Sequence, residues 1–208
     1  MNRWTVVLCA GVLAGCSPPA STPAPAPATV TVTDTPILVA TTTHTVVPTA
    51  IRIPSIGVHA TSMIAVGLVT ARDATPSQPA GSIATPPLTH PQQIAWYKGS
   101  PTPGDVGPAV VLSHRDGDGQ YGGFARLDDV QVGDEVDIDR SDHRTAVFRV
   151  TGTALYPKAD MTNADVYSNL DHPGLRLITC SGPFDRTAHN YPLQRVVSAD
   201  LVTLEKTP

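Results

Sequence analysis

From residue 50 onward, hydrophobic positions occur in short runs separated by Gly, Pro and Asp, without the spacing of an amphipathic helix. Some runs alternate apolar and polar residues, as half-buried strands do, and others are almost wholly apolar, as buried strands are. The runs lie at 50–54, 63–66, 108–113, 130–138, 145–150, 175–180 and 195–204. This pattern predicts an all-β domain of seven or eight short strands, either a barrel or a sandwich, with one helical turn near 162–170.

The first sixteen residues have the features of an export signal and not of a folded element. Arg3 supplies a positive charge, residues 4–13 are apolar but too few to span a membrane, and residues 13–16 (Leu-Ala-Gly-Cys) resemble a bacterial lipobox. We predict a lipoprotein signal at 1–16 with lipidation at Cys16. An ordinary cleaved signal peptide and an uncleaved anchor are the alternatives. More than one acyl chain gives stable anchoring, since each buried methylene contributes about 0.8 kcal/mol.

Residues 17–48 are rich in Pro, Thr and Ala and show neither strand nor helix periodicity. Such a composition buries too little apolar surface to fold and favours an extended chain, so we predict a disordered linker. At about 3.1 Å per residue the linker spans on the order of 100 Å, enough to hold a domain away from a membrane. The folded domain is then predicted at 49–205.

Charge and ligand-type residues exclude several classes of function. The chain has 208 residues with 14 basic and 18 acidic side chains, so it is mildly acidic and lacks the basic surface of a nucleic-acid-binding protein. Its Cys and His residues do not have zinc-site spacing, and the Asp-Gly-Asp-Gly segment at 116–119 lacks the later ligands of a calcium loop. We therefore predict no metal, no cofactor, no nucleic-acid partner, and a plain glycine turn at 116–119.

Cys180 is the single cysteine outside the predicted signal, because Cys9 and Cys16 both fall within residues 1–16. An intramolecular disulfide is therefore excluded in the predicted exported domain. A lone cysteine in an exported protein is either a reactive thiol or a small, buried apolar side chain. The cysteine count by itself does not decide between these two roles.

Two of the buried runs end in residues that nucleophilic catalysis uses: one is followed by His114 and the other ends in Cys180. If these strands are neighbours, the imidazole lies beside the thiol and favours the thiolate, which is the nucleophile. Acyl transfer also needs a donor for the oxyanion of the tetrahedral intermediate. Arg195, which opens the following strand, is the first candidate, and Arg186, in the loop after Cys180, is the second.

The residues around this pair resemble the sortase family, and more narrowly the class F sortases of actinobacteria. The strand end at 177–180 (Leu-Ile-Thr-Cys) is similar to the Leu-x-Thr-Cys of sortases, and the order His, Thr-Cys, Arg is shared. Further shared motifs are Trp96-Tyr97, Pro103-Gly104, Gly107, the run 109–114, Phe124, Leu127, the segment 133–136 and Pro183-Phe184-Asp185. The resemblance covers about residues 50–202.

The resemblance implies a closed sortase β-barrel of about eight strands with short helical turns, carrying His114, Cys180 and Arg195 at strand ends. It also implies a cysteine transpeptidase that cleaves an LPxTG-like sorting signal through a thioacyl intermediate and joins the protein to a cell-envelope amine. The implied partners are secreted proteins with a C-terminal sorting signal and a peptidoglycan-type amine acceptor. With the lipid anchor, the enzyme is expected on the outer face of the cell membrane, reaching the cell wall.

Residues beside the pair differ from the family pattern, since Ser113 and Ser181 replace Gly and Arg115 replaces an apolar residue. Arg195 is also displaced from the position where some sortases carry their Arg. The alternative interpretation is a catalytically degenerate sortase-like envelope lipoprotein that acts as a binding or structural module. Cell-wall cysteine peptidases and L,D-transpeptidases are further rivals. The order of His before Cys disfavours the first, and the missing Ser-x-Gly-Cys motif disfavours the second.

Overall fold

The computed structural model describes residues 45–161 and 167–207, which lie in one compact unit of the chain. The predicted signal with Cys16, most of the predicted linker, and residues 162–166 of the predicted helical turn lie outside the described residues. Within the described ranges, no helix is long and apolar enough to cross a bilayer.

Short strands and three single 3₁₀ turns make up the regular structure of the described residues. The strands are β1 (Pro48–Ile53), β2 (Val58–Ala60), β3 (Ile64–Val66), β4 (Ile94–Tyr97), β5 (Gly107–Ser113), β6 (Asp116–Gly117), β7 (Gln120–Tyr121), β8 (Glu135–Arg140), β9 (Arg144–Pro157), β10 (Pro173–Ser181) and β11 (Leu193–Lys206). The 3₁₀ turns are Pro54–Ile56, Leu127–Asp129 and Lys158–Asp160. The predicted runs correspond to β1, β3, β5, β8, β9, β10 and β11. Strands β2, β4, β6 and β7, which have two to four residues each, were not predicted, although the equally short β3 was.

Nine of these strands form one sheet in the order β2-β1-β8-β9-β11-β10-β5-β4-β3, and the sheet is curled into a half-barrel. Neighbours are antiparallel except for the parallel pairs β5–β10 and β3–β4. The prediction of an all-β fold is thus confirmed. The sheet has nine strands rather than about eight. Its hydrogen-bonded order runs from β2 to β3 without returning to β2, so the described residues show a half-barrel and not a closed ring.

Hydrophobic clusters lie on both faces of β5 and β10, because alternate side chains of a strand point to opposite faces. The larger cluster includes Val111 and Leu177, which are fully buried. The smaller cluster includes Leu112 and Ile178 and is packed against Met161 from the β9–β10 connection. Burial on both faces explains why these two strands are almost continuously apolar in the sequence.

The chain joins the sheet slightly before the predicted domain start at 49. The Val46 carbonyl accepts a hydrogen bond from Thr102 Oγ1 at 3.0 Å, and the Val47 amide donates to Ser141 Oγ at 3.1 Å. Strand β1 begins at Pro48. Residues 46–48 of the predicted linker therefore pack on the domain.

The sequence correctly predicts the turn at 116–119 but not the irregular segment before β8. Residues 116–121 form the hairpin β6–β7, in which Asp118 and Gly119 have φ values of 47° and 72°, as a type I′ turn requires. The glycine turn predicted there is present. Val130 and Val132 were expected to belong to a strand, but they lie between the turn Leu127–Asp129 and β8.

Candidate active site

His114 and Cys180 are brought together by the register of two parallel strands. Strands β5 and β10 pair from Gly107↔Pro173 to Leu112↔Ile178, with a constant difference of 66 residues. His114 and Cys180 are also 66 residues apart, so the same register places them side by side at the end of the ladder. Neighbouring strands lie about 4.8 Å apart, which is the backbone separation expected between the two residues.

The contact between the two strands continues one residue beyond that ladder. Thr179 Oγ1 donates a hydrogen bond to the Ser113 carbonyl at 2.9 Å, and both residues are buried. His114 and Cys180 follow these residues and lie on the opposite face, where both are half-buried. The face that carries the pair is therefore the face of the smaller hydrophobic cluster, with Ile178 next to Cys180 along the strand.

The imidazole of His114 is held by the connection between β3 and β4. Its Nε2 donates a hydrogen bond to the Pro86 carbonyl at 2.6 Å, since a carbonyl oxygen only accepts. Nδ1 is therefore the ring nitrogen that is not bound to the Pro86 carbonyl. Among the described residues, no hydrogen bond joins His114 to Cys180, so their proximity rests on the strand register.

The backbone of His114 is packed against a glycine pair. The His114 carbonyl accepts a hydrogen bond from the Phe124 amide at 3.1 Å. A Cβ atom on Gly122 would lie 2.0 Å from the same carbonyl oxygen, and a Cβ on Gly123 would lie 2.6 Å from Ser113 Oγ. Only residues without a side chain allow the loop 122–123 to approach the end of β5 this closely.

Arg195 lies on β11, the strand next to β10, but it is not the residue opposite Cys180. In the antiparallel pair β10–β11, Arg195 is opposite Thr179. Directly opposite residues share a face, so Arg195 points to the face opposite that of Cys180. Its Nε donates to Asp128 Oδ1 at 2.7 Å. A displacement of one residue along a strand reverses the direction of the side chain, so this geometry does not favour Arg195 as the oxyanion donor, and that role stays a prediction.

Arg186, the second candidate, lies in the loop between β10 and β11. The residue is exposed, and its guanidinium forms no ion pair with the described part of the chain. The loop around it is closed by the backbone hydrogen bonds between Asp185 and Asn190, at 2.8 and 3.1 Å.

The residue of β11 that lies opposite Cys180 is Gln194. On the next strand, β9, Tyr156 is opposite Gln194. Because opposite residues share a face, the side chains of His114, Cys180, Gln194 and Tyr156 form one row across β5, β10, β11 and β9. The sequence motifs did not single out Gln194, because residues 182–192 separate β10 from β11 and the register across so long a loop is not fixed by the local sequence.

Asp128 binds three of the four residues that depart from the sortase pattern, namely Arg115, Ser181 and the displaced Arg195. Its carboxylate accepts hydrogen bonds from Ser181 Oγ at 2.9 Å and from Arg195 Nε at 2.7 Å, and it also pairs with Arg115. Burial raises the pKa of Asp128, but the hydrogen bonds from Arg195, Arg115 and Ser181 outweigh it and hold this pKa below its usual value. We call these four residues the Asp128 cluster; it connects the residue after His114, the residue after Cys180, and β11.

Tyr191 connects the loop after β5 to the loop after β10. Its hydroxyl donates a hydrogen bond to Asp116, the guanidinium of Arg115 lies 5.8 Å from its ring centre, and the ring of Phe184 packs edge-on at 5.1 Å. Burial, followed by the hydrogen bond to Asp116 and the charge of that carboxylate, raises the pKa of Tyr191 to about 12. The charge of Cys180 is the smallest of the causes of this raised pKa, so the phenol lies within electrostatic range of the thiol.

No group of three His, Cys, Asp or Glu side chains converges as a metal site in residues 45–161 and 167–207. Two surface cavities, of about 240 and 280 Å³, lie at the start of β5 and along β9 and β11. Neither cavity is lined by His114 or Cys180. The candidate site is thus the row of side chains on the sheet surface.

Solved structures similar to this chain include sortases from three bacteria. Sortase C-3 from Streptococcus pneumoniae has a TM-score of 0.54 and 18% identity over 76% of this chain and 63% of its own. Sortase A from Listeria monocytogenes has a TM-score of 0.54 and 18% identity over 79% and 92%, and sortase A from Corynebacterium diphtheriae has 0.55 and 20% over 76% and 62%. The chain therefore spans less than two thirds of the first and third of these proteins. At such identities the likeness shows the fold.

The half-barrel, with a Thr-Cys strand end set against a His strand end, defines the class of the protein as a sortase-type domain. The sortase domain model matches residues 51–202, and the chain belongs to the sortase family. No curated protein matches the chain significantly.

Proposed function

We propose that this chain is a cysteine transpeptidase that cleaves an LPxTG-like sorting signal through a thioacyl intermediate and transfers it to a cell-envelope amine. The observation that carries the proposal is the register of β5 and β10, which brings His114 and Cys180 side by side on one face. Membership of the sortase family, whose members are generally cysteine transpeptidases, supports the same reaction.

In the first half of the reaction, the Cys180 thiolate attacks the carbonyl carbon of the Thr–Gly bond in the signal. The C–O double bond opens and its electron pair moves to the oxygen, which gives a tetrahedral oxyanion. When the intermediate collapses, the C–N bond breaks and His114 gives a proton to the leaving amine. Because Nε2 is held by the Pro86 carbonyl, Nδ1 is the nitrogen that exchanges this proton.

In the second half, an amine attacks the thioester carbon and restores the thiolate of Cys180. His114 takes the proton from the attacking amine, so the enzyme returns to its starting state. The energy of the peptide bond is kept in the thioester, and therefore no nucleotide and no metal is needed. We propose a peptidoglycan-type amine as the acceptor and secreted proteins with a C-terminal sorting signal as the donors.

The proposed location is the outer face of the cell membrane, with a lipid anchor at Cys16 and the extended segment 17–48 reaching the cell wall. The lipobox-like residues 13–16 and the Pro-rich composition support this arrangement. The motifs between Trp96 and Asp185 support the class F-like assignment. Metabolic labelling with an alkyne fatty acid, compared between the wild type and Cys16→Ser, tests the anchor.

A second candidate function is a catalytically degenerate sortase-like module that binds envelope components. One observation favours it: Arg195 is turned toward Asp128, so the arginine that the family resemblance assigns to the oxyanion is not beside Cys180. A module of this kind retains the fold and the thiol but transfers no acyl group.

The two functions are separated by an assay of the full chain in detergent with fluorogenic sorting peptides and a panel of amines. The enzyme predicts cleavage and transfer that are abolished in Cys180→Ala and reduced at least about 10²-fold in His114→Ala. His59→Ala, at an exposed position on β2, is the control and should keep full activity. Complete inertness of the wild type across the panel would leave the binding module as the better account.

A further inference from the structure

A sortase-type reaction needs a hydrogen-bond donor beside the cysteine, at the position where the substrate oxygen becomes negative. Cys180 has Gln194 opposite it on β11, and continuing the β5–β10 register by two residues places His114, the residue after β5, on its other side. In an antiparallel pair the Cβ atoms of opposite residues are about 4.5–5.5 Å apart. The side chain of Gln194 is therefore the one on β11 that lies next to the thiol.

The carboxamide of Gln194 is free to take this role. Gln194 is half-buried, and its side chain forms no hydrogen bond with any described residue. A carboxamide carries two N–H donors at the end of a flexible chain, and a tetrahedral intermediate on Cys180 lies within its reach. Since the group is neutral, its donor capacity does not change with pH.

The other donors near the site are less well placed. Arg195 shares the face of Thr179 and is bound to Asp128. Tyr156 lies on the correct face but one strand further away, at about 10 Å from Cys180 if strands are about 4.8 Å apart. Arg186 is exposed in the β10–β11 loop, without an ion-pair partner in the described part of the chain that would fix its position.

We propose that Gln194 is the oxyanion donor of this sortase and takes the place of the arginine expected from the family resemblance. The inference rests on the proposed transpeptidase function. As the Cys180 sulfur bonds to the carbonyl carbon, the carbonyl electron pair moves to the oxygen, and a Gln194 N–H donates a hydrogen bond to it without giving up its proton. His114, on the other side of Cys180, supplies the proton for the leaving amine.

A neutral donor in this position also determines how the acylation rate depends on ionic strength. A guanidinium attracts anionic groups at long range, whereas a carboxamide acts only at hydrogen-bond distance. The acylation rate with a negatively charged signal peptide should therefore depend little on ionic strength. This is expected even though Arg115 and Arg195 lie nearby, because both are paired with Asp128.

The test compares Gln194→Ala and Gln194→Glu with Ser198→Ala in the full chain. Ser198 lies on the same face of β11, opposite Arg176, and is the matched control. Acyl transfer is measured as kcat and KM with a fluorogenic sorting peptide, and thiol reactivity as the rate of Cys180 alkylation by iodoacetamide. Displacement of iodide by sulfur forms no oxyanion, so alkylation does not need the donor.

Gln194→Ala should lower kcat/KM by about 10²–10³-fold, mostly in kcat, as the loss of one oxyanion donor typically does. Gln194→Glu, which keeps the size but presents an acceptor, should lose at least as much. Both variants should keep the alkylation rate within about twofold of the wild type, and Ser198→Ala should keep both activities.

The inference is overturned if Gln194→Ala keeps kcat/KM within about threefold of Ser198→Ala while the wild type is active. It is also overturned if alkylation falls in parallel with acyl transfer, because Gln194 would then only position the thiol. Inertness of the wild type toward every peptide and amine would instead refute the proposed function itself. Gln194→Glu keeps the experiment decisive if Gln194→Ala does not fold.

Discussion

Removal of the Asp128 carboxylate is expected to destabilise the fold and disturb both reactive residues together. The carboxylate lies in the 3₁₀ turn Leu127–Asp129 and binds Arg195, Arg115 and Ser181. Those partners belong to β11, to the residue after His114 and to the end of β10. Asp128→Ala therefore leaves two guanidinium groups and one hydroxyl without their acceptor.

The size of the effect follows from the exposure of the groups. A hydrogen bond to a charged group contributes about 1.5–3 kcal/mol when it is protected from solvent, and an exposed ion pair contributes about 0.2–1 kcal/mol. The side chains of Arg195, Asp128 and Arg115 are 17%, 25% and 30% exposed, between these limits. We expect a loss of about 2–3 kcal/mol, which corresponds to a Tm lower by about 4–12 °C for a domain of this size.

Asp129→Ala is the matched control, because Asp129 is the next residue of the same turn. It pairs with Arg126 at 2.9 Å, but the two side chains are 55% and 62% exposed. A pair of this kind contributes less than about 0.5 kcal/mol. Urea unfolding of the wild type, Asp128→Ala, Asp129→Ala, Arg195→Ala and the double variant of Asp128→Ala with Arg195→Ala gives the stabilities and the coupling energy between Asp128 and Arg195.

The pH dependence of the unfolding free energy gives a second measure of the interactions of Asp128. Because the pKa of Asp128 is lowered in the folded state, its contribution to stability is present above the unfolded value of 3.8 and is lost as the pH falls through the folded pKa. The difference in unfolding free energy between the wild type and Asp128→Ala should therefore become smaller as the pH falls below 3.8. The reasoning is refuted if Asp128→Ala is no less stable than Asp129→Ala at neutral pH, or if the difference does not change with pH.

Three further perturbations test the site. His114→Ala should slow alkylation of Cys180 by iodoacetamide about tenfold or more, since the imidazole no longer favours the thiolate; mass spectrometry follows the rate. Tyr191→Phe should remove one late titration among the five phenols seen by ultraviolet absorbance, because burial and Asp116 raise the pKa of Tyr191 to about 12. This raised pKa stabilises the fold below pH 10.0, and the stability is lost as the pH rises toward 12. Gly122→Ala should cost about 1–3 kcal/mol in urea unfolding, because its Cβ would lie 2.0 Å from the His114 oxygen.

Each of these perturbations has a matched control in the chain. His59→Ala changes an exposed histidine, and Tyr121→Phe changes a phenol that is 82% exposed. Gly152→Ala adds a Cβ where no atom lies within 4 Å. Equal alkylation rates in the two histidine variants, early titration of all five phenols, or equal stability of the two glycine variants would contradict the corresponding argument.

The strand pattern could be predicted from the sequence because it depends on local periodicity. The runs that lead to His114 and Cys180 are apolar on both faces, and their short length and the Gly and Pro residues beside them favour a buried strand over a buried helix. The family could also be predicted, because the Leu-x-Thr-Cys strand end and the motifs before it are local and occur in a fixed order. Strands of two to four residues carry little periodicity, so β2 and β4 were missed, whereas β3 was found.

The direction of the side chains around the thiol was decided only by the tertiary structure. Register between strands far apart in the chain is set by packing, and a difference of one residue moves a side chain to the opposite face. That difference separates Gln194, beside Cys180, from Arg195, beside Thr179. The convergence on Asp128 is likewise absent from any local pattern, since its partners are 13, 53 and 67 residues away along the chain.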